Sequence, residues 1–180
     1  LHCPDDPIGV VQGGPVVNVD VTSVCHVWVA DPATAPGLRY TARWSDPADG
    51  IELAGSGEHT LRLTADSDAV PGTSGVVEIG VEGTDATPVS LPVVVEAAPL
   101  PAITPVRVDG VHAGDSRTID MSRFVRSPLR EPVISVVGVE HTEGMPGTAV
   151  FDGSRATLTP DPAAHGDMAF VVTLTDVSNT

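Results

Sequence analysis

Apolar residues are spaced along the chain in short, valine-rich runs in which apolar and polar side chains alternate. A period of two is typical of half-buried β-strands, and turn sequences such as Asp46-Pro47 and Pro71-Gly72 separate the runs. No window holds apolar residues at helical spacing for three turns without a proline or a glycine, so no long helix is predicted. The alternation predicts strands at residues 15–21, 24–30, 38–44, 50–53, 59–64, 76–81, 89–96, 103–109, 117–121, 133–140, 148–151, 156–159 and 168–175.

The predicted strands form two groups, which a short proline-containing linker at residues 96–101 separates. Seven strands in about 95 residues is the spacing of a β-sandwich. The second group holds six strands, where a sandwich of this kind usually has seven. The sequence therefore predicts an all-β chain of two tandem β-sandwich domains, at residues 1–98 and 99–180, the second without its last strand.

A sandwich without its last strand leaves the edge of the segment from Met168 to Thr175 uncovered. We expect that this arises because the chain, or its ordered part, ends early. The alternative is that a strand from another molecule or from the next repeat pairs with this edge, which would make the chain self-associate.

Length and charge narrow the class of protein further. The chain has 180 residues, an apolar fraction of 41% and a formal net charge of −15. The apolar fraction is enough to build a core, whereas the acidic balance argues against nucleic acid and anionic membrane surfaces as partners. No apolar run approaches the roughly 20 residues that span a bilayer, so we expect no membrane insertion. Because the chain starts at Leu1 without a signal peptide, we expect it to be an internal piece of a longer protein.

Motifs in both halves of the chain carry a family resemblance. They are Cys3-Pro4, Cys25-His26-Val27-Trp28, LRYTARW at 38–44, APLP at 98–101, VDGV at 108–111, RTIDM at 117–121, Phe124-Val125, Asp152-Gly153 and HGDMAF at 165–170. Together they resemble the tandem immunoglobulin-like repeats of very large actinobacterial surface proteins. The resemblance implies two immunoglobulin-like sandwiches in an extracytoplasmic rod, at the cell surface or secreted, without a catalytic centre.

The same resemblance implies a structural role, in which the domains act as a stalk or spacer. The implied partners are neighbouring immunoglobulin-like domains of the same polypeptide. The alternative function is an adhesion or recognition module that binds a protein or a cell-surface ligand through its loops or through the face that carries Trp28.

The two cysteines, Cys3 and Cys25, predict a disulfide, because an even pair in an exported protein is most simply a bridge. Closing a loop of about 20 residues contributes on the order of 3 kcal/mol to stability. The neighbouring His2 and His26 invite a zinc interpretation. Adjacent strand residues point to opposite faces, however, so Cys25 and His26 do not readily share one tetrahedral ion, and a metal is not expected.

Alternation also predicts which face of its strand each aromatic residue occupies. In residues 24–30 it places Cys25 on one face and both His26 and Trp28 on the other. If the disulfide face is internal, Trp28 lies at least partly outside, either packed under a loop or the N-terminal segment, or free for a ligand or domain contact. In residues 38–44, the same argument places Trp44 in the core.

Sequence motifs for catalysis are missing: there is no G-x-S-x-G and no glycine-rich phosphate loop after a strand, so we predict no enzyme. Calcium is the remaining chemical question, because loop carboxylates bind hard cations. The candidate ligands are Asp46 and Asp49 in one loop and Asp66 and Asp68 in another. Surplus surface acidity is the preferred interpretation of these residues, and no cofactor is expected.

Overall fold

The computed structural model of the chain describes residues 1–55 and 59–178, and β-strands make up most of its regular structure. Its helical segments are one short helix, α1 (Val21–Val24), and 3₁₀ turns at Pro32–Gly37 and Met121–Phe124. The strands are β1 (Ile8–Val11), β2 (Val17–Asp20), β3 (Tyr40–Asp46), β4 (Ile51–Ala54), β5 (Thr60–Ala65), β6 (Ser74–Val81), β7 (Val89–Glu96), β8 (Ala102–Ile103), β9 (Arg117–Asp120), β10 (Val125–Arg126), β11 (Pro132–Gly144), β12 (Gly147–Asp152), β13 (Arg155–Pro160) and β14 (Met168–Ser178). The chain divides into two compact units, unit 1 (Leu1–Pro99) and unit 2, which begins at Leu100.

Unit 1 is a sandwich of seven strands in its described residues, 1–55 and 59–99. One of its sheets has the strand order β1-β7-β6-β3, and the other has the order β2-β5-β4. Strand β1 runs parallel to β7, and the remaining neighbours pair antiparallel. Lettered A to G in chain order, the strands form the sheets A-G-F-C and B-E-D, which is an immunoglobulin-like arrangement.

The core of unit 1 draws alternate side chains from both sheets. Leu61 and Leu63 of β5 are fully buried in one apolar cluster with Ile79 of β6 and Leu91 of β7. Full burial of a side chain of this size contributes about 1.5–3 kcal/mol relative to leaving it exposed. Trp44 is half-buried and packs against the same cluster, as the alternation in β3 predicts.

Tyr40, the first residue of β3, is fully buried in this core. Its ring meets the imidazole of His59 edge-on, with the ring centroids 5.6 Å apart. Its hydroxyl has no hydrogen-bond partner among the described residues. Burial raises the pKa of Tyr40, and the charge of Asp20 adds to this rise. The core therefore holds a neutral phenol whose hydroxyl lacks a partner within residues 1–55 and 59–178.

The predicted strand at residues 24–30 is wrong. Val24 ends helix α1, in which Cys25 donates its backbone N–H to the carbonyl of Val21 over 2.8 Å. Asp31 then caps the 3₁₀ turn at Pro32–Gly37, because its carboxylate accepts the N–H of Ala33. Local turns satisfy the backbone at both ends of this segment, so it does not join a sheet.

Strand β1 supplies the seventh strand of unit 1 and was not predicted. It has four residues, too few to show a period of two clearly. It is held by parallel pairing with β7, in which Ile8 lies opposite Val93, and by the hydrogen bond from the Gln12 N–H to the Glu96 carbonyl. This contact joins the two ends of the unit, so the local sequence carries little sign of it.

Unit 2 repeats most of the framework of unit 1. The sheet β12-β13-β9 has the order of β4-β5-β2, and the antiparallel pair β11-β14 corresponds to β3-β6. A short additional pair joins β8 to β10. Between Leu100 and Ser178 no strand pairs with the other edge of β14, so the position of β7 has no counterpart there.

The buried cluster of unit 2 is smaller than that of unit 1. In the described part of unit 2 it consists of Met121, Val136 and Ala156, with Ile119 and Leu174 among the half-buried residues packed against it. The predicted strand at 103–109 forms only as β8, and the chain after it is irregular. The prediction of a strand from Met168 to Thr175 is confirmed, since β14 covers it.

Candidate functional site

The N-terminal segment of unit 1 is fixed to the start of the irregular segment after α1. A disulfide joins Cys3 to Cys25, with an S–S distance of 2.08 Å, and both residues are buried. His2 and His26 exchange two backbone hydrogen bonds beside it, of 2.9 and 2.7 Å. The disulfide predicted from the sequence is therefore present, and its sulfurs are not available as metal ligands.

Trp28 is exposed on the surface next to this bridge. Its side chain is 75% exposed, and its ring stacks on His26 with centroids 6.3 Å apart and planes inclined by 28°. Burial alternates along the segment as predicted, since Cys25 is buried while His26 and Trp28 are exposed, although the backbone forms no strand. Of the two interpretations of Trp28, burial under the N-terminal segment is wrong.

The four candidate calcium ligands lie in two neighbouring loops. Asp46 ends β3 and Asp49 follows it, while Asp66 and Asp68 follow β5. The loops meet through their backbones, because the Asp66 N–H donates to the Gly50 carbonyl over 2.9 Å. All four side chains are exposed, and the described residues contain no group of three His, Cys, Asp or Glu side chains that suits a metal ion. That these carboxylates are surface acidity stays a prediction, with calcium binding as its alternative.

The two units share a capped turn after the strand at the B position, which is β2 in unit 1 and β9 in unit 2. Asp20 at the end of β2 accepts hydrogen bonds from the Thr22 N–H and hydroxyl, of 2.9 and 2.7 Å. Asp120 at the end of β9 accepts from the hydroxyls of Ser122 and Ser154, over 2.7 and 3.0 Å. These donors favour the charged carboxylate, so they lower the pKa of both aspartates.

A cleft of about 850 Å³ opens inside unit 2. Its apolar wall includes Met168, Phe170 and Val172 of β14 together with Leu158 of β13. Residues of the segment 103–113 also line it, and none of the described residues that line the cleft belongs to β11. Of the pair β11-β14, the described lining therefore includes β14 alone, through its inward face.

Sequence reasoning missed this cleft, because it predicted a strand at 103–109. Pro105 interrupts the alternation, and Arg107 forms an ion pair with Asp109 at 2.9 Å. Both of these residues are exposed. Pro105, two residues after Ile103, was the available signal that the strand would stop there.

The comparisons with known proteins give no family. No family model matches the chain, and no curated protein matches it. An endo-fucoidan hydrolase from glycoside hydrolase family 107 matches at 11% identity and a TM-score of 0.36, covering 96% of this chain and 27% of that one. Protocadherin gammaB7 EC3-6 matches at 13% identity and a TM-score of 0.31, covering 95% of this chain and 45% of that one. Titin-A168169 matches at 15% identity and a TM-score of 0.29, covering 97% of this chain and 96% of that one.

The chain spans about a quarter of the length of the endo-fucoidan hydrolase that it matches. All of these TM-scores are below 0.5, so the assignment of immunoglobulin-like sandwiches depends on the strand order given above. Among the described residues, no helix has the length and apolar character needed to cross a membrane.

Proposed function

We propose that this chain is a non-catalytic, structural part of an extracytoplasmic protein, in which its tandem sandwiches act as a spacer or stalk. The observation that carries the proposal is the repetition of one framework, the B-E-D sheet with the C-F pair, in two consecutive units. Chains of such units are suited to spacing, because each added domain extends the polypeptide by a similar amount.

Two further features support the spacer function. The disulfide between Cys3 and Cys25 favours an oxidising compartment, where such bonds persist. Only residues 97–101 separate the last strand of unit 1 from the first strand of unit 2, and they include Pro99 and Pro101. A linker this short and proline-containing restricts the motion between the two units.

Small-angle X-ray scattering, extrapolated to zero concentration, tests the spacer function. One compact globule of this length has a radius of gyration of about 16 Å. We expect a clearly larger value, which does not change between low and moderate salt. An insertion of glycine and serine residues between Pro99 and Leu100 is the matched comparison and should broaden the distance distribution. A value near 16 Å, or a distribution that the insertion leaves unchanged, would contradict a stiff spacer.

Recognition through the Trp28 surface is a second candidate function. The observation that favours it is the 75% exposure of Trp28, stacked on His26 beside a disulfide that fixes the local backbone. Large exposed aromatic side chains are enriched at binding sites, where their burial contributes much of the affinity.

Binding of the fluorescently labelled chain to intact bacterial and animal cells tests the second function. Trp28→Ala is compared with Val70→Ala, since Val70 is a similarly exposed apolar residue of unit 1, at 67%. Recognition predicts that Trp28→Ala alone lowers the bound fraction severalfold. Equal binding by the wild type and both variants would exclude this surface as the contact.

A further inference from the structure

His2 and His26 lie opposite each other in the short antiparallel contact that fixes the N-terminal segment of unit 1. Each donates its backbone N–H to the carbonyl of the other, over 2.9 and 2.7 Å. The Cα atoms of such a hydrogen-bonded antiparallel pair lie about 5.5 Å apart. The contact therefore makes close neighbours of two histidines from separate parts of the sequence.

Both imidazoles belong to the outward face of this contact. Cys3 and Cys25 are joined at the next position, with their Cα atoms 4.2 Å apart, and both are buried. Successive side chains of an extended segment point to opposite faces, so a disulfide on the buried face places both histidines on the other face. His2 and His26 are accordingly exposed.

The nitrogens of the two imidazoles are open to a ligand. Within residues 1–55 and 59–178 neither ring has a hydrogen-bond or ion-pair partner, and the His26 ring stacks on Trp28 with centroids 6.3 Å apart. A stacked contact covers a face of the imidazole and leaves the nitrogens at its edge accessible. Each neutral imidazole offers one nitrogen lone pair. The pair thus presents two nitrogen donors on one side of a fixed backbone.

The spacing of the two histidines suits a single metal ion. Metal–nitrogen bonds of about 2.0–2.1 Å require the two donor nitrogens to lie roughly 3 Å apart. The Cβ atoms of directly opposite residues are about 4.5–5.5 Å apart, and exposed side chains rotate about χ1 and χ2, so one nitrogen from each ring can reach that distance. The disulfide holds the two backbones at this spacing before an ion binds, which lowers the entropic cost of binding.

We propose that His2 and His26 form a binding site for a divalent transition-metal ion, in which Cu²⁺ binds more tightly than Ni²⁺ or Zn²⁺. Imidazole nitrogen suits all three ions, and affinity in the Irving–Williams order is highest for Cu²⁺. The described residues contain no group of three His, Cys, Asp or Glu side chains around an ion, so water completes the coordination. The net charge of −15 favours the approach of a cation.

This site differs from the zinc interpretation that the sequence invites. That interpretation relates Cys25 to its neighbour His26, whose side chains point to opposite faces. The structure instead pairs His26 with His2 across the contact, and it engages the cysteine sulfurs in a disulfide. The metal site goes beyond the spacer function and does not depend on it.

Isothermal titration calorimetry of the whole chain with Cu²⁺ tests the proposal. The N-terminus is acetylated, so that the amine of Leu1 is not a ligand. We expect one tightly bound Cu²⁺ per chain. His2→Gln and His26→Gln should each raise the dissociation constant at least about tenfold, because each leaves one imidazole where two act together. The double variant should lie within about twofold of the single variants, because loss of either ring already removes the shared site. His112→Gln, at an exposed histidine of unit 2, is the matched control and should leave the constant within about twofold of the wild type.

Electron paramagnetic resonance of the Cu²⁺-loaded chain provides a readout that a folding defect does not imitate. The nitrogen hyperfine pattern should show two coordinated imidazoles in the wild type and one in either single variant of the pair. An excess of Mg²⁺ should not displace Cu²⁺, because Mg²⁺ prefers oxygen ligands. A wild type with one coordinated nitrogen, displacement by Mg²⁺, or equal weakening by His112→Gln would each overturn the proposal. The first would mean that the histidines act separately, and the other two that the ion binds elsewhere on the acidic surface.

Discussion

Removal of the disulfide should weaken unit 1 without affecting unit 2. The change is the double variant Cys3→Ala and Cys25→Ala, in which alanine avoids leaving a polar group at two buried positions. The bridge closes a loop with a sequence separation of 22. The loop-entropy relation gives about 3 kcal/mol for a loop of this length at 25 °C. The paired backbones of His2 and His26 lie beside the bridge, so the N-terminal segment should also loosen.

Tryptophan fluorescence reports on unit 1 alone. Both tryptophans, Trp28 and Trp44, and the single tyrosine belong to unit 1, while unit 2 has neither residue type. Urea unfolding followed by tryptophan emission therefore gives the free energy of unfolding of unit 1 inside the whole chain. The free energy of unfolding falls by about 1–3 kcal/mol per molar urea. A loss of about 3 kcal/mol should therefore lower the urea midpoint of the double variant by at least roughly 1 M. The wild type with reduced cysteines should shift in the same direction.

A fall of less than about 1 kcal/mol in the free energy of unfolding would refute this reasoning, because it would mean that the bridge hardly restricts the unfolded chain. Far-ultraviolet circular dichroism provides the control on unit 2. The circular dichroism signal follows the unfolding of both units. The transition of unit 2, which tryptophan emission does not report, should keep its urea midpoint. A shift of both parts would mean that the two units unfold together, so that the change could not be assigned to unit 1.

The remaining predictions use the same assay unless another is named. Tyr40→Phe should raise the stability of unit 1 by up to about 1 kcal/mol, because it removes a buried hydroxyl without a described partner. Leu63→Ala should lower it by about 2–5 kcal/mol, whereas Trp28→Ala should change it by less than about 0.5 kcal/mol. The pKa of Asp20 is lowered by its hydrogen bonds from Thr22, so its contribution to stability is present above the ordinary value of 3.8 and is lost as the pH falls through the lowered value. Asp20→Asn should therefore flatten the fall in stability below about pH 4. Thermal melts in calcium, in EDTA and in magnesium should coincide, because no group of three carboxylates gathers around Asp46 and Asp66 in the described chain.

Strands with a clear alternation were predicted well, since alternation records burial directly. The prediction at 89–96 coincides with β7, in which Leu91, Val93 and Val95 alternate with less buried residues. The same rule predicted the exposure of Trp28 while giving the wrong backbone, because an extended segment alternates its side chains whether or not it joins a ladder. Alternation thus indicates which side chains face the core, whereas the hydrogen-bond partners of a segment depend on distant parts of the chain.

The cleft and the free edge of β14 likewise depend on distant parts of the chain. Residues 168–175 were predicted to form an uncovered edge from the number of strands alone. Their exposed and uncharged outward face, and the apolar space beside Phe170, required the structure. One sequence signal does relate the two units: Asp20 and Asp120 each end a strand and cap the turn that follows, with a hydroxyl-bearing residue two positions later. Because this cap and the strand order around it are shared, β6 and β14 are equivalent strands, and the antiparallel pairing of β7 with β6 is the physical basis for expecting a strand beside β14.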